Sequence, residues 1–327
     1  MYKKVLCILT SFAFFFGSIS AKELVPGGES IGIQVSYDGV LVSGTYTFMA
    51  GSQRIDPSHV IKANDLIIAI NGVKVASLQD MANEMNKYQK EINDLTMTII
   101  RNDAKMDVSI QTSYDKTGFH SGLYVKDKIT GVGTISYYDP DTGRYGALGH
   151  EIIDSDTHTF AKVHEGNIYP AIVDGIQKAK KNVPGEKQAT IDFTKSLGDV
   201  EKNSSLGIFG QYDLLPENKQ AIEVGDHTKV HTGKAMIYTV LSGNQIEMYQ
   251  ITITKVNKQN SRDMKGIELT VDDPALTSQT NGIIQGMSGS PIIQDGQIVG
   301  ALTHVVTSDP MRGYGVFIDW MLEESVL

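Results

Sequence analysis

The sequence predicts a mainly β protein with a small α+β domain followed by a larger β domain. Short runs rich in Val, Ile and Thr recur along the 327 residues, separated by Gly, Pro and Asp. In the C-terminal two thirds they do not alternate with helical periods, which favours a barrel or sandwich over a βαβ fold. A chain with 32 glycines and only 20% charged residues is typical of a folded, turn-rich protein.

Composition and charge exclude several classes of function. The net charge is −9 and no Lys/Arg cluster is visible, which argues against nucleic-acid binding. The single cysteine, Cys7, lies in the N-terminal segment, so the mature chain would hold no disulfide and no cysteine metal site. The pairs His150-Glu151 and His164-Glu165 lack the second helical histidine of a zinc peptidase. No metal and no cofactor are therefore expected.

Residues 1–21 have the pattern of an export signal. Lys3 and Lys4 precede a short apolar run, Val5–Phe16, and small residues end the segment. The run is shorter than the ~20 residues that span a bilayer, although including Gly17–Ala21 leaves an uncleaved anchor open. We expect export, with the segment either removed or kept as a membrane tether.

Residues 22–112 are predicted to form the small domain. An apolar strand near residues 31–35 is followed by two strands around Asn71-Gly72, a strong hairpin signal. Ser77 is a candidate N-cap for a helix with apolar residues at helical spacing. Two alternating runs, 95–100 and 106–110, complete the domain.

This order of parts resembles a PDZ domain. Asp65–Val75 fits the pattern D-x-[IL]-x-x-I-N-G-x-x-V and lies between a glycine-containing loop and the helix. The resemblance implies that a C-terminal peptide segment adds as a strand at Ile31, Gly32 and Ile33. Two features depart from it: Asn64 replaces a common glycine, and no basic residue lies just upstream of the loop. A purely structural β-rich domain is the alternative.

The most informative stretch of residues 113–327 is Gly286–Pro291, with the sequence GMSGSP, followed by an apolar hairpin around Asp295-Gly296. A nucleophilic serine needs its own N–H and that of the residue two before it to hold an oxyanion. The sequence therefore offers Ser288 as nucleophile, with Gly286 and Ser288 as oxyanion donors. A glycine-rich hairpin connection is the alternative interpretation.

A general base is offered by His150, which ends the glycine-bearing apolar segment 145–149. Such a base must be rigidly placed within hydrogen-bond reach of the serine hydroxyl, which suits a position at a strand end. An ordinary surface or core histidine is the alternative.

For the third catalytic group we favour Asp273, because Pro274 fixes the backbone after it and the segment leads back to the serine. Asp272, Asp154 and Asp192 stay open as rivals. The chain order His, Asp, Ser is that of chymotrypsin-like barrels rather than of subtilisins or α/β-hydrolases.

Several motifs together are similar to those of the stage IV sporulation protein B peptidases. They are the segments 146–150, 282–291, 300–305, 309–310 and 313–316. The resemblance implies an exported N-terminus, a PDZ domain and a chymotrypsin-like double β-barrel serine peptidase domain, in that order. It assigns His150 and Ser288 and places the family's aspartate at Asp273.

The same resemblance implies a signalling peptidase of endospore formers, exported into the space between forespore and mother cell. Its protein substrate would be a regulator of an intramembrane protease that permits processing of the late mother-cell sigma factor. Self-cleavage near the N-terminus is also implied. The alternative function is a catalytically silent PDZ-containing scaffold in the same space.

In a chymotrypsin-like barrel, the strands after the nucleophile hairpin form the specificity pocket. Here they supply a set of predicted pocket residues: Leu302, Thr303, His304, Tyr314, Gly315 and Val316. These walls contain no acid, and a buried unpaired charge is costly. We therefore predict an uncharged, small or medium apolar residue before the scissile bond.

Overall fold

A computed structural model describes residues 22–157, 165–213 and 219–326. The predicted export segment, residues 1–21, lies outside the described residues. None of the helices in the described ranges has the length and apolar character needed to span a membrane.

The chain is mainly β, as predicted. The strands before the peptidase motifs are β1 (Glu23–Pro26), β2 (Ser30–Thr45), β3 (Phe48–Ala50), β4 (Gln53–Ile55), β5 (Leu66–Ile70), β6 (Val73–Lys74), β7 (Asn93–Arg101), β8 (Ala104–Asp115) and β9 (Gly118–His120). The middle strands are β10 (Leu123–Asp139), β11 (Arg144–Ala147), β12 (Glu165–Gln177), β13 (Glu186–Ile191), β14 (Gly198–Asp199), β15 (Lys202–Ser204), β16 (Gly207–Gln211) and β17 (Ile222–Glu223). The last strands are β18 (Gly233–Val240), β19 (Ile246–Val256), β20 (Ile267–Val271), β21 (Pro291–Gln294), β22 (Gln297–Val306) and β23 (Asp309–Phe317). The described α-helices are α1 (Leu78–Met85), α2 (Pro274–Thr280) and α3 (Ile318–Ser325).

Six of the described strands close into a barrel, in the order β18-β19-β20-β23-β22-β21. Successive side chains of a strand point to opposite faces, so every second residue of these strands faces the core of the barrel, and most of those residues are apolar. Each strand contributes at least one fully buried residue, for example Ile237, Ile251, Leu269, Ile292, Ala301 and Val316. The predicted Asp295-Gly296 hairpin turn joins β21 to β22, with both residues at positive φ.

A second core lies beside the barrel, under the sheet formed by β2, β10, β11, β12 and β16. Ile31, Ile33 and Val35 of β2 point into it together with Ile135 and Leu148. The pairing runs β12-β2-β10-β11-β16, and the stretch that holds β14 and β15 hydrogen-bonds to β16 on one side and to β12 on the other. This half therefore closes around its own core, in agreement with the predicted second barrel.

The small lobe has a third core and is inserted into this sheet. Residues 40–45 of β2 pair with β5 and with residues 123–126 of β10, whereas residues 30–36 pair with the later part of β10. Both long strands therefore run through both lobes. The structure thus draws the boundary differently from the predicted break at 112/113: the first strands belong to the larger lobe, and the small lobe lies between β2 and β10.

Local predictions for the small lobe are confirmed. Asn71 and Gly72 both have positive φ and turn β5 into β6. Ser77 caps α1, accepting a hydrogen bond from the Asp80 N–H. The identity of this lobe as a PDZ domain stays a prediction.

The predicted peptide-binding site at Ile31, Gly32 and Ile33 is wrong. This stretch lies in the middle of the sheet, with residues 131–133 of β10 on one edge and residues 168–170 of β12 on the other. A peptide adds as a strand only to an unpaired edge. Gly32 also packs directly under Ile191, where a Cβ would overlap that side chain.

Candidate active site

The nucleophile loop, defined as residues 285–290, lies between the two cores. Gly286 and Gly289 have φ of 89° and 97°, in the region that favours glycine. A Cβ at Gly289 would overlap the Thr134 carbonyl oxygen, and the Gly289 N–H donates to the Leu302 carbonyl at 2.7 Å. The GMSGSP sequence thus fits a loop that is held tightly against β10 and β22.

Two carbonyl groups of the loop, those of Gly286 and Ser288, point toward β10. Thr134 donates from its hydroxyl to the Gly286 carbonyl at 2.7 Å and from its N–H to the Ser288 carbonyl at 3.0 Å. Within the described part of the chain, the N–H groups of Gly286 and Ser288 donate to no acceptor. This leaves both groups available for the oxyanion role, which stays a prediction.

Ser288 opens onto a cavity of about 550 Å³ that His150 also lines. Its hydroxyl donates to the Thr303 carbonyl at 2.8 Å. Attack on a substrate requires this hydroxyl to rotate so that its hydrogen is given to a base. The structure therefore brings the predicted nucleophile and the predicted base to one cavity, with the serine in a resting hydrogen bond.

His150 follows a sharp turn at the end of β11, where Leu148 and Gly149 both have φ of 69°. Its Nδ1 lies 2.8 Å from the Glu151 carbonyl oxygen. A carbonyl only accepts, so Nδ1 carries the hydrogen and Nε2 is left with a free lone pair. Burial lowers the pKa of His150 below its ordinary value of 6.5. At neutral pH the imidazole is thus neutral, in the tautomer that a general base needs.

Two further ionisable groups line the cavity. The ring centroid of His304 lies 4.9 Å from that of His150, and burial together with repulsion from His150 lowers the pKa of His304 to about 4. His304 Nδ1 and Glu151 Oε2 are buried with no hydrogen-bond partner among the described residues. The sequence predicted His304 as a pocket residue, but it gave no reason to place Glu151 here.

Asp273, the predicted triad acid, is not brought to this cavity. One carboxylate oxygen accepts from the N–H groups of Ala275 and Leu276 at 2.8 and 3.4 Å, and the other accepts from the Gln250 N–H at 2.9 Å. Asp273 is the N-cap of α2, with Pro274 at the first helical position. Because all its contacts are structural, the assignment of Asp273 as triad acid is corrected to a helix cap.

The rival aspartates are also engaged elsewhere. Asp272 pairs with Lys234, and Asp192 accepts from Thr194. Asp154 is buried, where it pairs with Lys126 at 2.7 Å and accepts from the Tyr37 hydroxyl at 2.7 Å. None of these side chains lines the cavity. The group that orients His150 in this structure is the Glu151 backbone carbonyl.

We expect Asp273→Asn to retain kcat, because this side chain does not line the cavity. Asparagine caps the helix as well as aspartate does, but its single acceptor oxygen leaves the Gln250 N–H without a partner, so the free energy of unfolding should fall by about 1 kcal/mol. Asp273→Ala should lower the free energy of unfolding by about 1–2 kcal/mol, since it leaves the N–H groups without their acceptor. Thermal unfolding and peptide hydrolysis measure the two effects. A loss of about 10⁴-fold in kcat for a stably folded Asp273→Asn variant would restore the triad assignment.

The predicted pocket is only partly reproduced. Thr303 and His304 line the cavity, whereas Leu302 and Val316 are buried in the barrel core. Tyr314 and Gly315 do not line the cavity either. Much of the wall is aliphatic, with Ile33, Val35, Ile129, Val132, Ile152 and Ile283. The predicted apolar preference stays a prediction, and Glu151 supplies the carboxylate that the predicted walls lacked.

The lowered pKa of His150 sets the expected pH dependence. Burial disfavours the imidazolium, so the neutral base is populated above a pKa that is lower than 6.5. We expect kcat/KM to rise with pH through one ionisation below 6.5 and to be level at neutral pH. A pH series with an uncharged peptide substrate measures this, and an acid limb centred above 6.5 would contradict it.

Comparison with known proteins supports a peptidase. The family model described as SpoIVB peptidase S55 matches residues 117–322, more than half of the chain. No sequence among the curated proteins matches.

The solved structures found to be similar are distant proteases. The Rv3671c protease of M. tuberculosis in its active form has 14% identity and a TM-score of 0.36, over 60% of this chain and 72% of its own. Its inactive form has 14% identity and a TM-score of 0.34, over 59% and 81%. The HtrA-type protease AlgW with a decapeptide has 16% identity and a TM-score of 0.35, over 63% and 53%.

Proposed function

This chain belongs to the SpoIVB peptidase S55 family and is a serine endopeptidase, and on that premise we propose that it is an exported peptidase of sporulation signalling. It acts in the space between forespore and mother cell on a membrane-associated regulatory protein. That cleavage activates processing of the late mother-cell sigma factor. The enzyme also cleaves itself near its N-terminus.

The observation that carries the proposed mechanism is the joint placement of Ser288 and His150 at one cavity. Ser288 Oγ attacks the scissile carbonyl, and His150 Nε2 takes the proton. The N–H groups of Gly286 and Ser288 stabilise the oxyanion. His150 then gives this proton to the leaving amine. In the second half, His150 takes a proton from water as the water attacks the acyl-enzyme, and returns it to Ser288 Oγ as the acid product leaves.

The Glu151 carbonyl takes the orienting role that an aspartate has in most such enzymes. It fixes the His150 tautomer through the 2.8 Å hydrogen bond to Nδ1. A carbonyl dipole stabilises the imidazolium less than a carboxylate does, so we infer a modest rate that suits a signalling cleavage better than bulk digestion.

The partners follow from the same proposal. The main partner is a protein substrate, and a peptide or C-terminal segment binds the small lobe at an edge other than residues 31–33. The N-terminal segment, if uncleaved, tethers the enzyme to the membrane. No nucleic acid takes part.

The proposal is tested in sporulating cells that carry either the wild-type gene or the Ser288→Ala variant, with a tag on the late sigma factor. We expect processing of the sigma factor with the wild type and its absence with Ser288→Ala at equal protein level. Equal processing in both strains would refute the signalling role. Hydrolysis of a peptide library by the purified enzyme tests the peptidase chemistry separately.

A further inference from the structure

A buried lysine lies directly behind the nucleophile loop. Lys187 of β13 is only 5% exposed, and its methylene groups pack on Gly286, where a Cβ would come within 3.1–3.2 Å of three of its carbons. Its ammonium group donates to Ser30 Oγ at 3.0 Å, Thr239 Oγ1 at 2.9 Å and Thr134 Oγ1 at 3.4 Å. Among the described residues no carboxylate pairs with it.

Burying an ammonium group without a counter-ion is costly, and here burial lowers the pKa of Lys187 to about 7. An apolar side chain of similar length would fill the same space without that cost. The three hydroxyl partners lie on β2, β10 and β18, so the amino group connects the two barrel halves behind the nucleophile loop. This placement suggests a role for the amino group as a hydrogen-bond donor.

The directions of the hydrogen bonds show what the lysine controls. The Gly286 carbonyl only accepts, so the Thr134 hydroxyl gives its hydrogen to that carbonyl, 2.7 Å away, and its oxygen accepts from Lys187 Nζ whether the amino group is charged or neutral. The backbone N–H of Lys187 donates to the Gln285 carbonyl at 3.0 Å. Because a peptide group is planar and trans, holding the Gln285 carbonyl on one side points the Gly286 N–H to the other.

The second oxyanion donor is fixed in the same way. The Met287 carbonyl accepts from the Ser290 N–H at 3.0 Å, which orients the Ser288 N–H opposite to it. Between these two peptide groups lies the Gly286–Met287 peptide, and its carbonyl is the one that Thr134 holds. Rotation of that peptide changes ψ of Gly286 and φ of Met287, and so would alter the direction of one N–H group relative to the other.

We propose that Lys187 is a positioning residue which, through Thr134, holds the nucleophile loop with the Gly286 and Ser288 N–H groups directed at the substrate carbonyl. The inference rests on Ser288 being the nucleophile. It adds a buried amino group and a threonine to the machinery of the loop, neither of which touches the substrate.

The test compares four variants of the full-length enzyme: Lys187→Met, Thr134→Val, Thr134→Ser and Thr239→Val. Thr239→Val is the matched control, because it removes a hydroxyl from the same ammonium but contacts no carbonyl of the loop. For each, kcat, KM and the rate of labelling by a fluorophosphonate probe are measured together with the thermal unfolding midpoint.

We expect Lys187→Met and Thr134→Val to lower kcat by about 10²–10³-fold, the scale for loss of one oxyanion donor, with KM unchanged. Thr134→Ser should restore kcat because it restores the hydroxyl, and Thr239→Val should leave kcat unchanged. An equal loss of kcat in Thr239→Val, or unaltered kcat in Thr134→Val, would show that Lys187 only joins the two halves. If Lys187→Met does not fold, the comparison of kcat between Thr134→Val and Thr134→Ser tests the proposal in its place.

Failure of the peptidase assignment itself would look different. In that case the wild type and Thr134→Ser would both resist the probe, whereas failure of the positioning role leaves the wild type labelled and all four variants alike.

Discussion

Ser288→Ala is expected to abolish peptide hydrolysis while leaving the fold intact. The substitution removes the predicted nucleophile, and the activity that remains is what oxyanion donors and binding alone supply. It also removes the hydrogen bond to the Thr303 carbonyl, which costs about 1 kcal/mol of stability. Peptide hydrolysis and thermal unfolding of the purified variant measure both effects.

The same loop offers a matched control. Ser290 lies two residues further on, and its hydroxyl is buried with no partner among the described residues. Ser290→Ala should therefore retain full activity and equal or slightly higher stability. Near-normal hydrolysis by pure Ser288→Ala enzyme, or loss of activity in Ser290→Ala alone, would contradict the nucleophile assignment.

His150→Ala is expected to lower kcat by at least about 10²-fold with little change in KM; a loss of about 10⁶-fold is the upper limit, found when the base of a complete triad is removed. The reason is that His150 lines the same cavity as Ser288 and that the Glu151 carbonyl on Nδ1 leaves Nε2 free to accept a proton. Single-turnover hydrolysis separates this loss in chemistry from any loss in binding.

Two other histidines complete that experiment. His231 is exposed and pairs with Asp295 at the far hairpin turn, so His231→Ala should be fully active. His304 lies against His150 within the cavity. If His304→Ala lost activity as completely as expected for His150→Ala, while His150→Ala stayed active, the base would be His304.

Local signals predicted most of the elements near them. Asn71-Gly72 and Asp295-Gly296 specify tight turns through positive φ, and Ser77 specifies a helix start through its side-chain cap. Such signals depend on a few neighbouring residues, so the sequence alone can predict the turn or cap. The Gly-Met-Ser-Gly segment and the histidine at the end of β11 could be picked out as a candidate nucleophile and base for the same reason.

The error at Asp273 shows how one local pattern serves two purposes. An aspartate followed by proline is also the signature of an N-cap with proline at the first helical position, and that is the role it has here. Pro274, the return of the segment to the serine and the family resemblance favoured the catalytic interpretation. The helical start at residues 274–280 was the signal that could have corrected it.

The lobe boundary and Lys187 depend on contacts that no local pattern records. Strand β2 alternates along its whole length, so its sequence does not reveal that residues 30–36 and 40–45 belong to different lobes. Nothing around Lys187 in the sequence indicates a role for it. Its role is visible only in the fold, where hydroxyl groups of β2, β10 and β18 bind its amino group. Long-range pairing, rather than propensity, decides both.

The central claim is that Ser288 is a nucleophile activated by His150. Labelling of the wild-type enzyme with a fluorophosphonate, followed by mass spectrometry of the digested protein, tests it most directly. We predict one adduct, on Ser288, that is lost in Ser288→Ala and strongly slowed in His150→Ala. No adduct on the folded wild type, or an adduct on another serine, would contradict the claim.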